Sequence, residues 1–374
     1  MKTVYLFLSI LTVLVLSRRI GIGVALFLGS ILLSILLGTP QAFFESLLSL
    51  ETARILLIVF LAFSLGNGMA EAGLLDRISQ TSMRTFGNLS YVFIPLLVGL
   101  LPMPGGALIS AVMLGKTVSD AEKVTFLNYW YRHIWVPFWP LYPSVVIGLA
   151  VVEVSYASYA SATVYVALAA LLSGLFAVEK FKLEFSRELL SLFRDFYPVL
   201  LLILLAAILK LDLVIALLAA ITSLLAFHRK AVGGFRKAAD WRIMFLVAAV
   251  MGYKGVIESS GLAAEFLNDL SFLPPALAAA IFSFTVGFAT GIEMSYSSVA
   301  LPLLVSFTGV GESLVSDNLM LVVAFGFLGV MLSPLHLCLV LTAEHFKADL
   351  LRVYRYLLPA SLLVSIITII NFMI

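Results

Sequence analysis

Long apolar runs with few charged residues, set between charged or Gly/Pro breaks, recur along the whole chain and leave few folds open to it. Such runs lie near 3–16, 20–37, 52–69, 134–152, 157–178, 196–210, 213–227, 242–258, 331–346 and 354–373. A helix needs about 20 largely apolar residues to cross a bilayer core of about 30 Å, at about 1.5 Å per residue. Shorter apolar pieces at 90–101, 106–118, 122–133, 274–289, 292–307 and 318–330 cannot span alone, and read as arms of hairpins or broken helices. With 62% hydrophobic and 12% charged residues, the chain lacks the charge to cover a soluble surface. The expected fold is therefore an all-α polytopic membrane protein.

The distribution of Lys and Arg orients these spans. Placing Arg18 and Arg19 in the cytoplasm and alternating sides puts the N- and C-termini outside. Of the 23 basic residues, only Lys2, Arg54, Arg132, Lys210 and Lys254 then fall outside or within the membrane. Met1 to Leu16 has the length of a signal peptide, but Arg18-Arg19 follow it without a small-residue cleavage pattern, so a retained first span is expected. The net charge of +2 comes from loops beside apolar spans and does not point to nucleic acid. The single cysteine, Cys338, excludes an internal disulfide framework. The implied setting is the cell membrane, with lipid as the surrounding partner and a small molecule or ion as substrate.

The halves echo one another. Arg54-Ile-Leu-Leu-Ile-Val59 matches Arg242-Ile-Met-Phe-Leu-Val247, and Gly73-Leu74 matches Gly261-Leu262, at one common offset of 188. Pro140-Leu-Tyr-Pro-Ser-Val-Val-Ile147 pairs with Pro334-Leu-His-Leu-Cys-Leu-Val-Leu341 after a small loop difference. On the charge-derived map 3–16 runs inward and 196–210 outward, so the repeats are expected to be inverted. The first covers 1–178, with a re-entrant hairpin near 90–118 and a broken helix near 122–152. A cytoplasmic linker, 179–195, leads to the second, 196–374, with a hairpin near 274–307 and a broken helix near 318–346. Inverted repeats give two mirror-related access states to one central site, the physical basis of alternating access.

Candidate site residues cluster at the breaks. In Pro102-Met-Pro-Gly-Gly106 the helix cannot continue. Past Pro104 and Gly105, free N–H groups at the start of the 106–118 arm, from Gly106 onward, can face an anion, or the segment is an ordinary surface turn. The opposite stretch, Ala289-Thr-Gly-Ile-Glu293 and beyond, gathers Thr290, Gly291, Ser295, Ser297 and Ser298 around Glu293. Hydroxyls and carbonyls suit a small cation such as Na⁺, and an intramembrane carboxylate carries a proton, balances Na⁺, or pairs with Arg132 or Lys254. Arg132 and His133 precede the break at Pro137, and Ser333 and His336 surround that at Pro334. Arg132 is suited to bidentate carboxylate binding or to snorkelling at the interface. His336 is a core histidine or a substrate contact. Asn67, within Gly66-Asn-Gly68, joins the site if its helix unwinds, or else marks a helix stop. Lys254 reads as a snorkelling residue near the outer interface. The four histidines form no metal-ligand spacing.

The paired scaffold helices, hairpin and broken helix in each half resemble the ion transporter superfamily, which includes gluconate, citrate and dicarboxylate transporters. Pro102-Met-Pro-Gly-Gly106 and Arg132-His-Ile-Trp-Val-Pro-Phe-Trp-Pro140 are similar to an uncharacterised prokaryotic membrane family within it. The resemblance implies a scaffold and a mobile transport domain, a homodimer and an elevator motion. The Ser-Asn-Thr hairpin tips of the dicarboxylate relatives are replaced here, so their substrate and ion do not carry over. The resulting expectation is a secondary transporter of a small organic anion, coupled to H⁺ or Na⁺ and needing no other cofactor. Cation/proton antiport through Glu293, an intramembrane enzyme and a channel remain alternatives. No P-loop, Gly-x-Ser-x-Gly elbow or His-Glu-x-x-His motif is present, which argues against an ATPase and the familiar hydrolases.

Overall fold

The computed structural model describes residues 2–20, 22–86, 89–101, 106–115, 120–178 and 189–374, and among these every regular element is helical. The apolar runs fold into α1 (Lys2–Ile20) and α2 (Ile22–Leu37), which pack along each other, then α3 (Pro40–Leu47) with its proline in the first turn. α4 (Leu50–Glu71) opens on Ser49, whose hydroxyl accepts from the Thr52 N–H at 3.1 Å, with Glu51 in the positive first turn. Gly73 follows it at φ 69°, a left-handed position that frees the chain to turn into α5 (Leu74–Phe86). Two short arms come next, α6 (Ser90–Gly99) and α7 (Gly106–Leu114). α8 (Ala121–His133) is capped by Asp120, and a run of turns separates it from α9 (Pro143–Val152) and α10 (Tyr156–Ser173).

α11 (Leu189–Asp195) and α12 (Tyr197–Leu202) precede a π-helical stretch, Ile203–Ile208, and α13 (Leu213–Phe227). α14 (Gly233–Ala238) is a short connector to α15 (Trp241–Ser260), which ends at Gly261, φ 65°, before α16 (Leu262–Asp269). α17 (Pro275–Thr290) stops at Gly291, φ 63°; after it come a π-helical turn (Tyr296–Ala300), α18 (Leu301–Leu303) and α19 (Val305–Thr308). α20 (Ser316–Leu332) and α21 (Leu337–Phe346) flank a break, and α22 (Leu350–Met373) closes the fold. Among the described residues five segments are long and apolar enough to cross a membrane: Leu50–Glu71, Tyr156–Ala177, Trp241–Ser260, Ser316–Phe346 and Leu350–Met373. Outward-facing Leu358, Leu362, Ile366 and Ile370 on α22 place large apolar side chains where a soluble protein would put charge.

Packing runs across the chain reciprocally. α2 and α3 lie on α15, while α13 and α14 lie on α4. α7 packs on α21, and the 296–303 stretch packs on α9. Small residues make these approaches close. A Cβ at Gly252 would run into Phe43 of α3, and one at Gly234 into the Gly68 backbone of α4. The α17–α20 contact is similar, since a Cβ at Gly329 would strike the Phe284 carbonyl. Cores packed at crystal-like density leave such collisions no room to relax.

Several expectations change. Residues 134–142 are turns rather than the start of a span, because Pro137, Pro140 and Pro143 withdraw helix donors in close succession. The arm after Glu293 is not one helix but pieces, with Pro302 in its middle and a fresh start at Val305. The described part of the 179–195 linker is helical, as α11. Gly66-Asn67-Gly68 is no helix stop: α4 continues to Glu71, and Gly68 instead admits the backbone of α14.

Candidate functional site

The two breaks between α8 and α9 and between α20 and α21 each reach the end of an earlier helix, α6 and α17 respectively, and satisfy its last carbonyls. A helix end leaves about four C=O groups without intrahelical partners. For α6 the donors are aromatic: Trp135 Nε1 bonds Leu96 O at 2.7 Å, Trp139 Nε1 bonds Leu100 O at 2.7 Å, and Tyr142 OH bonds Gly99 O at 2.6 Å. For α17 the Ser333 hydroxyl donates to Phe288 O at 2.7 Å and His336 Nδ1–H to Gly291 O at 2.8 Å. Gly291 needs its glycine twice, for φ 63° and because a Cβ there would lie 2.8 Å from His336 N.

This arrangement assembles a buried cluster. His133, at the end of α8, is wholly buried, and its Nδ1 meets the Tyr129 carbonyl at 2.6 Å. A carbonyl only accepts, so Nδ1 of each imidazole carries the proton and each Nε2 points inward. The two Nε2 atoms lie 3.3 Å apart, and His133 Nε2 lies 3.2 Å from Glu293 Oε1. The rings stand nearly perpendicular, at 82°, beside the ring of Tyr129. Cys338, two residues past His336, brings its sulfur to the same place: the ligand atoms of His133, His336 and Cys338 lie within 4.8 Å of one another. Glu293 keeps 21% of its side chain exposed, so it joins the dry histidine pair to a more open surface.

Arg132 directly precedes His133 at the end of α8. It is buried, with its guanidinium against the α-carbon of Gly106, where any side chain would collide with it. That burial overturns the interfacial snorkelling alternative and puts a fixed positive charge at the N-terminus of α7, itself the positive end of a helix dipole. Pro104 and Gly105 lie outside the described residues.

Residues 290–295 divide two spaces. Gly291 and Glu293 face the histidines, whereas Thr290, Ile292 and Ser295, with Ser298, line an apolar cavity of about 330 Å³ against α1, α2, α15 and α16. The Thr290 hydroxyl donates toward Ser295 Oγ at 2.7 Å, and the Ser295 hydroxyl to Ile292 O at 2.7 Å, so both serve the turn itself. Ser297 and Ser298 are buried in the π-helical turn against α9. Asn67 lies apart, in the part of α4 that receives α14.

The sequence matches, over residues 2–374, the family model described as a protein of unknown function, DUF401. The chain belongs to that family. No curated protein matches it. In this DUF401 chain the structure brings His133, Gly291, Glu293 and His336 together with Tyr129, Ser333 and Cys338, and Arg132 directly precedes His133. Linear spacing hides this candidate ligand set: His133 and His336 are 203 residues apart, and the histidines form a pair only across the two breaks. Lys254 is also corrected. It is buried rather than snorkelling, and its ammonium is shared by Glu51 at 3.3 Å, Glu153 at 3.5 Å and Glu258 at 3.5 Å. Glu293 therefore pairs with His133, and neither Arg132 nor Lys254 makes an ion pair with it among those the structure records.

Proposed function

We propose that the protein is a secondary carrier, not an enzyme or channel, that moves a small organic anion with protons. One observation carries this reading: His133, Glu293 and His336 converge at helix breaks, one of them inside the membrane-length segment Ser316–Phe346, with buried Arg132 next to His133. Ionisable groups at that depth are costly and are retained for transport and proton relay. With both Nδ1 atoms protonated, Glu293 Oε1 and the Nε2 atoms of His133 and His336 form one row of acceptors, so a proton taken up there is shared by the row rather than held singly. Two of the hydroxyls that would complete a Na⁺ shell, Thr290 and Ser295, are turned into the 290–295 turn and away from Glu293, which favours H⁺. Arg132 and the start of α7 offer the anion its partner.

Reciprocal packing of α2–α3 on α15 and of α13–α14 on α4 supports two inverted repeats. So does the match of left-handed turns, Gly73 with Gly261 and Glu153 with Lys347, at corresponding places. Under the same proposal α6–α7 and α17–α19 are re-entrant hairpins, both termini are outside, and the chain is a dimeric elevator of the ion transporter superfamily. The test has two stages. Thermal-shift screening of the purified protein against organic acids at several pH values finds a ligand, because binding stabilises the folded state. Proteoliposomes then report its uptake under an imposed pH gradient. Uptake that ignores the pH gradient and follows Na⁺ sinks the coupling assignment; non-saturating flux sinks the carrier.

A second reading, cation/proton exchange at Glu293, is favoured by the inward lone pairs of the two imidazoles.

A further inference from the structure

We propose that His133, His336 and Cys338 form a binding site for a thiophilic divalent cation of the zinc and cobalt class, with Glu293 as the adjoining carboxylate. The claim concerns binding and is independent of what the protein carries across the membrane.

The donor atoms are already turned toward a common point. Both Nδ1–H groups are tied to backbone carbonyls, Tyr129 O at 2.6 Å and Gly291 O at 2.8 Å. A metal-ligating histidine is held by this kind of bond, which fixes the tautomer and aims the other nitrogen. Two neutral imidazoles whose Nε2 lone pairs meet at 3.3 Å repel unless a cation lies between or beside them. A proton relieves one contact. A metal ion relieves both and uses the sulfur as well.

The spacing fits a tetrahedral ion. With metal–nitrogen bonds of about 2.05 Å, nitrogens 3.3 Å apart subtend about 107° at the metal. The sulfur lies within 4.8 Å of each nitrogen and closes to a metal–sulfur bond of about 2.3 Å by a modest movement of the Cys338 side chain. On binding, the Cys338 S–H bond breaks, its proton leaves to bulk water, and the thiolate donates an electron pair to the ion without redox change. A donor set of two imidazoles and a thiolate selects Zn²⁺ or Co²⁺ over Mg²⁺ or Ca²⁺, which want oxygen. Glu293 Oε1, 3.2 Å from His133 Nε2 and partly exposed, is placed to be the fourth ligand and to lie on the entry route.

Co²⁺ is the probe. Titrated as chloride into the purified, reduced full chain, it is expected to give visible tetrahedral bands and a near-ultraviolet thiolate charge-transfer band. Both should saturate at one ion per chain and be displaced by Zn²⁺. Cys338→Ser should lose the charge-transfer band while melting like the parent, and His336→Gln should lose saturable binding. Should His336→Gln fail to fold, X-ray absorption of the Zn²⁺-loaded parent decides, with one sulfur and two imidazole nitrogens expected. No saturable Co²⁺ spectrum in the folded parent, a charge-transfer band that survives Cys338→Ser, or an all-oxygen Zn²⁺ shell overturns the site.

Discussion

The two helix breaks perform the same structural task with different chemistry. At residues 134–142, two indoles and a phenol cap the end of α6, and each donor is consumed by a carbonyl. At 333–336 a serine and a histidine cap the end of α17, and the histidine has a second nitrogen left over. Only one residue of the first break region, His133 at its rim, supplies a comparable spare nitrogen. The difference teaches that a capping residue can also be a functional one when its ring offers two sites. Imidazole does so, whereas indole has a single donor. The first break is thus chiefly scaffolding, and the second is scaffolding that presents reactive atoms.

Replacing members of each break sharpens or breaks this contrast. Trp139→Ala should have the largest effect on folding, about 3–5 kcal/mol, because it removes a buried indole as well as a cap. Denaturation in detergent measures it, and a loss below about 1 kcal/mol would contradict a scaffolding role. Gly291→Ala should cost about 1–3 kcal/mol, since the methyl meets His336 N and Leu335 C and the backbone is left-handed. Ser333→Ala removes one neutral hydrogen bond and should cost about 1 kcal/mol by the same assay. Glu293→Gln should be the mildest for stability, within about 1 kcal/mol, because its side chain is partly exposed and keeps a polar partner. It should nonetheless abolish the response of uptake to a pH gradient, because an amide neither gains nor loses the proton. Uptake by Glu293→Gln that still tracks the gradient would remove Glu293 from the relay.

A second contrast lies between the histidine cluster and Lys254. Lys254 is surrounded by three carboxylates that are each about half exposed, so its charge is matched and the acids stay hydrated. It ties α15 to the start of α4 and the end of α9, as a tether rather than a relay. Its partners Glu51 and Glu153 are 203 and 101 residues distant, which is why a solitary lysine near a helix end read as snorkelling. Arg132 was legible as a charge at membrane depth, but whether it faced lipid or protein depended on Gly106, whose missing side chain makes the room.

By itself the sequence determined the membrane setting, the helical class and the places where helices stop. Those follow from local physics: hydrophobic length against bilayer thickness, and the backbone limits of proline and glycine. It also determined that Glu293, Arg132, His133 and His336 stand near such stops. Tertiary structure alone decided which nitrogen of each histidine is free, that Cys338 joins them, that Asn67 stays apart within α4, and that Lys254 has three partners. These are matters of direction and distance between residues far apart in the chain. They are settled when α7 and α21, and the 296–303 stretch and α9, pack across the two halves.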